Sequence, residues 1–187
     1  MTTTTVRVNV AAMRQPFHPC SPDFIRDVCQ ARCCRSTTDP TGIAVVVQRV
    51  EIGRIEAAGA RVDRETLRIE PVGRRCPFQH TETHLCGLHE TPAKPFGCRV
   101  SPFTINPNNT LIVRNRYRFL PCFKADGAVP VAIAHRASLA ALFGDASATL
   151  IVEAVEADAG GSLWLDAPAG AVDALRHKNE ASKSTMP

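Results

Sequence analysis

The sequence predicts an α+β protein: a small, irregular, metal-stapled core with few short strands, followed by C-terminal helices. Three observations carry that expectation. Seven of the eight cysteines fall between residues 29 and 122. The stretch 71–107 holds Pro71, Pro77, Pro92, Pro95, Pro102 and Pro107 with little periodicity, so it buries little apolar surface unless something else orders it. After Cys122 the composition turns Ala-rich at helical spacing. Aromatic residues make up only 5% of the chain, which leaves the core to Ala, Val, Leu and Ile and suits a metal-stapled scaffold.

The elements follow in chain order. Residues 1–19 read as an N-terminal leader that pairs loosely or frays, and MTTTTVRVNVAAMRQP contains no apolar h-region of a secretory signal. Ser21-Pro22-Asp23 is a helix start, with Ser as N-cap, Pro at the first helical position and Asp in the first turn, so Asp23–Ala31 is expected as a short helix carrying Cys29. Thr37–Gly42 reads as a turn, and β-branched Ile43–Val47 as a strand. Val50–Ala58 carries Ile52 and Ile55 at helical spacing and is stopped by Gly59. Leu67–Glu70 is expected as a second short strand, Asn108-Asn109 as a turn, and Leu111–Phe119 as a strand with Arg114, Arg116 and Arg118 outward. Val131–Phe143, Ala146–Ala157 and Ala169–His177 read as helices, broken at Gly144-Asp145 and at Gly160-Gly161, with Ser162–Leu165 extended. The domain reading is a cysteine-cluster region at 20–125, an Ala-rich helical region at 126–178 packing on it, and a disordered tail at 179–187.

The chemistry lies with the sulfurs. Cys29-x3-Cys33-Cys34 forms a first group, Cys76, Cys86 and Cys98 a second, Cys122 closes the set, and Cys20 stands upstream. Thiolates are soft ligands, and this number suits tetrahedral zinc sites, a polynuclear zinc cluster or iron–sulfur clusters. The expected cofactor is therefore an iron–sulfur cluster or zinc ions, ligated by Cys29, Cys33, Cys34, Cys76, Cys86, Cys98, Cys122 and Cys20, with His89 as a nitrogen ligand. Neighbouring residues direct their side chains apart, so Cys34 is expected to serve a second ion or another edge of a cluster. With no signal and no run near the roughly 18 apolar residues that span a bilayer, the expected location is a reducing cytoplasm, which disfavours a disulfide framework.

These same residues resemble a known family. CQARCC, then CPFQ, CGLHE and KPFGCRVSPF, is similar to the YkgJ-like cysteine-cluster family of zinc- or iron-chelating proteins, whose pattern runs C-x2-C-x2-CC, CPF, C-x-[IL]-[HY]-E, a proline, and CR-x-[FY]-P. Cys33, Cys34, Cys76, Pro77, Cys86, His89, Glu90, Pro95, Cys98, Arg99 and Pro102 sit on that pattern. The chain departs from it in the three-residue spacing after Cys29 and in a longer interval from Cys86 to Cys98. The resemblance implies bound zinc or iron and no particular reaction.

Other classes are narrowed by what is missing. No G-x-G-x-x-G, Walker A, H-E-x-x-H or G-x-S-x-G occurs, which argues against a dinucleotide, ATP, zincin or α/β-hydrolase site. The net charge of +4 is mild and argues against a nucleic-acid partner. An iron-dependent oxidoreductase or peptide- or small-molecule-modifying enzyme with an open metal position near His89 is one rival reading. A zinc-organised protein- or nucleic-acid-binding module using Arg114, Arg116 and Arg118 is another.

Overall fold

Threonine and valine alternate with polar residues along the first segment, and Val6 and Val8 are buried while Arg7 between them is exposed. That period of two is a half-buried strand, not a leader. The computed structural model describes residues 2–35, 47–89 and 91–180, without the side chains of 177–180. The turn at Thr37–Gly42, most of the strand at Ile43–Val47, Glu90, and the tail beyond residue 180 lie outside those residues. In chain order the elements are β1 (Thr3–Asn9), β2 (Pro16–Phe17), α1 (Pro22–Phe24), α2 (Ile52–Ala57), β3 (Val62–Asp63), β4 (Arg68–Ile69), α3 (Phe96–Arg99), β5 (Phe103–Ile105), β6 (Thr110–Val113) and β7 (Val129–Pro130). Then come α4 (Val131–Ala134), α5 (Arg136–Phe143), α6 (Asp145–Glu156), β8 (Ser162–Pro168) and α7 (Ala169–Glu180). Mixed helices and strands make the fold α+β.

The chain divides into two compact units. The first joins Met1–Pro19 to Arg99–Pro187 and is built on a four-stranded sheet of order β5-β6-β1-β8. β1 runs antiparallel to β8, from Thr3 opposite Pro168 to Asn9 opposite Ser162, and parallel to β6. Val6, Val8, Phe103, Ile105, Leu111, Val113, Leu165 and Ala167 are buried in the sheet, and Leu139, Leu142, Ile151, Val172 and Leu175 in the helices. Each Val, Leu, Ile or Phe side chain among them, fully withdrawn from water, contributes roughly 1.5–3 kcal/mol. Residues 99–125, read from sequence with the cysteine region, supply β5 and β6 to this sheet. The strand expected over Leu111–Phe119 stops at Val113; Asn115–Phe119 is a 3-10 helix, closed by Tyr117 N–H to Arg114 O at 3.0 Å. Its alternating arginines imitate a strand, but Tyr117 is the residue it buries.

The second unit, Cys20–Cys98, has a small apolar centre: Val47, Ile52, Ile55, Ala60, Val62 and Ile69, with Leu67, Cys76 and Phe78 packed against it. α2 ends near Gly59, whose φ of 98° is left-handed and open to glycine. β3 and β4 form a two-stranded hairpin over Val62–Ile69. The other described residues of this unit form turns, short helices and cysteine loops.

Candidate metal centre

The first cysteine loop is set by a helix that starts as its sequence predicts and ends abruptly. Ser21 Oγ accepts the Phe24 N–H at 3.3 Å, with Pro22 at the first position. From Ile25 the helix widens into a π turn through Cys29, closed by Gln30 N–H to Ile25 O at 2.7 Å. The π turn ends at Cys29, and the three residues that follow before Cys33, where the family pattern has two, are Gln30, Ala31 and Arg32. Gln30 and Ala31 then both take left-handed φ, 51° and 45°, at non-glycine positions. Such conformations persist only where surrounding structure holds them, and they are found mainly at functional sites. They turn the chain into the 3-10 segment Arg32–Cys34.

That segment corrects one expectation. Cys33 and Cys34 do not point to separate places: their sulfurs lie 4.0 Å apart, brought together by the tight 3-10 backbone. Two thiolates sharing a tetrahedral ion at about 2.3 Å lie about 3.8 Å apart. All eight cysteines carry free thiols, this neighbouring pair included.

The second loop is pinned to the first through the backbone. Cys76 N–H donates to Cys34 O at 3.1 Å, and Arg35 pairs with Arg75 as an isolated bridge. Gln79, buried, donates from Nε2 to Gln30 O at 3.0 Å and to His84 O at 3.5 Å, so one amide ties both loops. Gln79 also bridges Cys86 through its backbone. The third loop is held by Glu51. Its carboxylate caps its own helix at Gln48 N, accepts the Phe96 N–H at 2.8 Å two residues before Cys98, and pairs with Arg54. Glu51 is 1% exposed. Neither Glu51 nor Gln79 was singled out from sequence. The Gln48-to-Glu51 spacing of a capping box was the available signal for one, and adjacency to the CPF turn for the other.

The sulfurs feel one another. Cys20, whose residue keeps an exposed flank, has its thiol pushed up by burial first and then by charge on Cys33 and Cys29, with Lys94 opposing. Burial and Cys33 likewise raise Cys29, while backbone N–H groups of Arg32 and Ala31 donate to its sulfur and pull the other way. Cys34 is held well above the usual thiol range by its contact with Cys33, by burial, and by charge on Cys33, Cys98 and Cys76. Burial pushes Cys76 up to about 11, opposed by the Phe78 N–H on its sulfur, with Cys86 and Cys33 adding to the rise. Seven sulfurs of one unit thus form a connected field: Cys20, Cys29, Cys33, Cys34, Cys76, Cys86 and Cys98. Burial and repulsion raise Cys20, Cys29, Cys34 and Cys76, and a divalent cation reverses both effects. The donor set therefore fits a thiophilic metal. Among the described residues, no three His, Cys, Asp or Glu side chains are yet converged closely enough to grip an ion.

The remaining candidates are placed by their own elements. Cys122 is buried in the sheet unit, where its carbonyl accepts the His18 N–H at 2.8 Å. His89 is exposed, with Nδ1 3.2 Å from Lys94 Nζ and its backbone N–H on Cys86 O. His84 lies between Cys76 and Cys86; its Nδ1 is buried with no hydrogen-bond partner among the described residues, as is Gln79 Oε1. Among the described residues, no helix is long and apolar enough to cross a membrane.

Comparison with protein families matches residues 25–118 to the CxxCxxCC family, described as "Putative zinc- or iron-chelating domain". Six of the seven clustered cysteines fall inside that match and Cys20 falls before it. Comparison with curated proteins and with solved structures gave no match. With half its length on the family pattern, and the pattern's sulfurs gathered in one unit, the chain belongs to the CxxCxxCC family of zinc- or iron-chelating domains.

Proposed function

We propose that the Cys20–Cys98 unit holds its zinc or iron in an all-thiolate environment, and that the metal organises the loops that carry the sulfurs. The observation that supports this most directly is the 4.0 Å approach of the Cys33 and Cys34 sulfurs, close to the spacing of two ligands on one ion, beside backbone N–H groups that lower the Cys29 and Cys76 thiols. Donors aimed at sulfur favour the charged form, which is the ligand form. In an apo protein whose thiols stay neutral they gain little. Seven sulfurs exceed one tetrahedral sphere, which favours a shared-sulfur zinc cluster or an iron–sulfur cluster over a single mononuclear site. His89, exposed and facing Lys94, stands as an edge residue and not a required ligand. Binding here is folding, because the loops bury little apolar surface of their own.

The deciding experiment is anaerobic purification under reductant, with elemental analysis and ultraviolet–visible spectra on one sample. Brown protein with sulfide and thiolate-to-iron absorbance selects the iron–sulfur form. Colourless protein with stoichiometric zinc selects the zinc form. Fully folded, metal-free protein under these conditions sinks the proposal.

A further inference from the structure

β8 closes the sheet of the first unit on one side, and its outer edge is open among the described residues. The strand order β5-β6-β1-β8 leaves β8 with one neighbour among them. The direction of its backbone groups follows from the other side of β1. Arg7 N–H donates to Asn109 O at 2.8 Å, so residue 7 aims its backbone at β6. Backbone direction alternates along a strand, so Val6 and Val8 aim at β8. Their partners are Leu165 and Leu163, and Val10 N–H reaching Gly161 O at 3.2 Å keeps the same phase. Trp164 and Asp166 therefore present N–H and C=O to the free edge, where they meet no other strand among the described residues.

Sheet proteins blunt such edges with short strands, lysines, bulges or an interior proline. β8 has none of these. It is seven residues long, carries no cation, and places its proline last, at Pro168. The opposite edge, β5, is three residues long and fully buried. On its outward face β8 exposes Trp164, at 67% the largest exposed aromatic of this strand, beside Arg7 of β1.

We propose that the occupant of this edge is a second copy of the chain, with β8 pairing antiparallel to its own two-fold mate about Leu165. In that register Trp164 lies opposite the mate's Asp166, and each outward backbone group finds its complement, giving about four hydrogen bonds from the two such pairs. The charges select the same register. Along one row of the joined sheet stand Arg7, Trp164 and the mate's Asp166; along the next stand Thr5, Asp166 and the mate's Trp164. Strands about 4.8 Å apart put Arg7 and the mate's Asp166 about 10 Å apart at Cα, a span an arginine crosses over an indole face. Arg7 already leans over β8, its Nε donating to Ser162 Oγ at 3.0 Å. Asp166 accepts from Thr5 Oγ1 at 2.8 Å through one oxygen and keeps the other free among the described residues. No like charges face each other. An unrelated extended peptide would find the same backbone groups but no such matched row.

The test uses the full metal-loaded chain under reductant, which excludes intermolecular disulfides. Trp164 is the only tryptophan, so its emission reports this edge directly. Sedimentation equilibrium and tryptophan emission are followed across a dilution series. The expected result is a reversible dimer, with emission shifted to the blue and less acrylamide quenching as the dimer forms. Asp166→Arg, which puts cation beside cation across the seam, raises the dissociation constant at least about tenfold. Arg7→Asp combined with Asp166→Arg restores the row with its signs exchanged and recovers dimerisation. A chain that stays monomeric up to millimolar concentration overturns the proposal. So does a dimer indifferent to Asp166→Arg, or one that the double exchange leaves dissociated while the double variant stays folded.

Discussion

The sheet unit buries long aliphatic and aromatic side chains from its main strands and helices: Val6 and Val8 from β1, Phe103 and Ile105 from β5, Leu139, Ile151 and Leu175 from its helices. The cysteine unit buries Val47, Ile52, Ile55, Ala60, Val62 and Ile69 around one short helix and one hairpin. Among the described residues, its other loops carry the sulfurs and add mainly Leu88 and Phe96 to what is buried. Apolar burial scales with what is packed, so among the described residues the first unit has the larger core of its own. On the proposed reading of the metal, the difference teaches where each unit is vulnerable: one to cavities and buried charge, the other to loss of an ion.

Metal removal should separate them most widely. A chelator applied to anaerobic, metal-loaded protein is expected to unfold the cysteine loops while β1, β6 and β8 keep their protection. Structural zinc in small domains contributes on the order of 10 kcal/mol, far above what the remaining six-residue apolar centre replaces. Hydrogen exchange resolved by segment makes the check. Equal protection of residues 20–35 and 76–98 with and without metal would remove the contrast between the units.

Glu51→Ala is the next largest effect, and it stays within the cysteine unit. The substitution strips partners from Gln48 N–H, the Phe96 N–H and Arg54 at once, in a site 1% exposed. Leaving such groups buried and unpaired costs roughly 3–5 kcal/mol. The expected readout is loss of metal retention and a lowered first melting transition. The sheet unit's transition should not move, and a shift of both together would break the comparison.

Acid should act on the sheet unit through His135. Its ring packs edge-on against Phe17 and Phe103, Nε2 has no hydrogen-bond partner among the described residues, and burial lowers its pKa to about 4. An unfolded histidine protonates near 6.5, so between about 6.5 and 4 only the unfolded chain takes up the proton. Stability is therefore unaffected above that window and falls as pH drops through it, by about 3 kcal/mol at the acid end. Denaturant titrations monitored by Trp164 emission at several pH values should show that slope in the wild type and lose it in His135→Gln. A slope unchanged by the substitution would assign the acid sensitivity elsewhere.

What could be read from sequence differs between the units for a physical reason. In the cysteine unit the informative features are local: the Ser21 cap, the Ile52/Ile55 stripe ended at Gly59, and the grouped sulfurs. In the sheet unit the decisive contacts are remote. β1 finds its partners at residues 110–111 and 162–168, so a short Thr/Val alternation with no neighbour in sequence reads as a leader. Long-range pairing also explains residues 99–125, which read as part of the cysteine region and yet complete the sheet. The helices after Val131 were legible because their period and their glycine stops are internal to the segment; only the break at His135 was not. At the centre itself, the sulfurs were legible by type. The buried tethers Gln79 and Glu51 were not, since a lone glutamine or glutamate reads as solvated surface until a distant N–H or C=O arrives to use it.

The smallest effect tests whether the helix that delivers Cys29 depends on its own start or on the metal at its end. Ser21→Ala removes the side chain that accepts the Phe24 N–H and should cost about 1 kcal/mol. In metal-loaded protein the sulfur at Cys29 is held from the other end, so fraying of α1 and the π turn is suppressed and the loss should be close to undetectable. In metal-free protein the same substitution acts on a helix with no distal anchor, and exchange at Phe24–Cys29 amides should rise about fivefold, the ratio that 1 kcal/mol represents. A full loss in both states would mean that the cap, and not the sulfur, sets this segment, and that the ion's reach stops short of the helix leading to it.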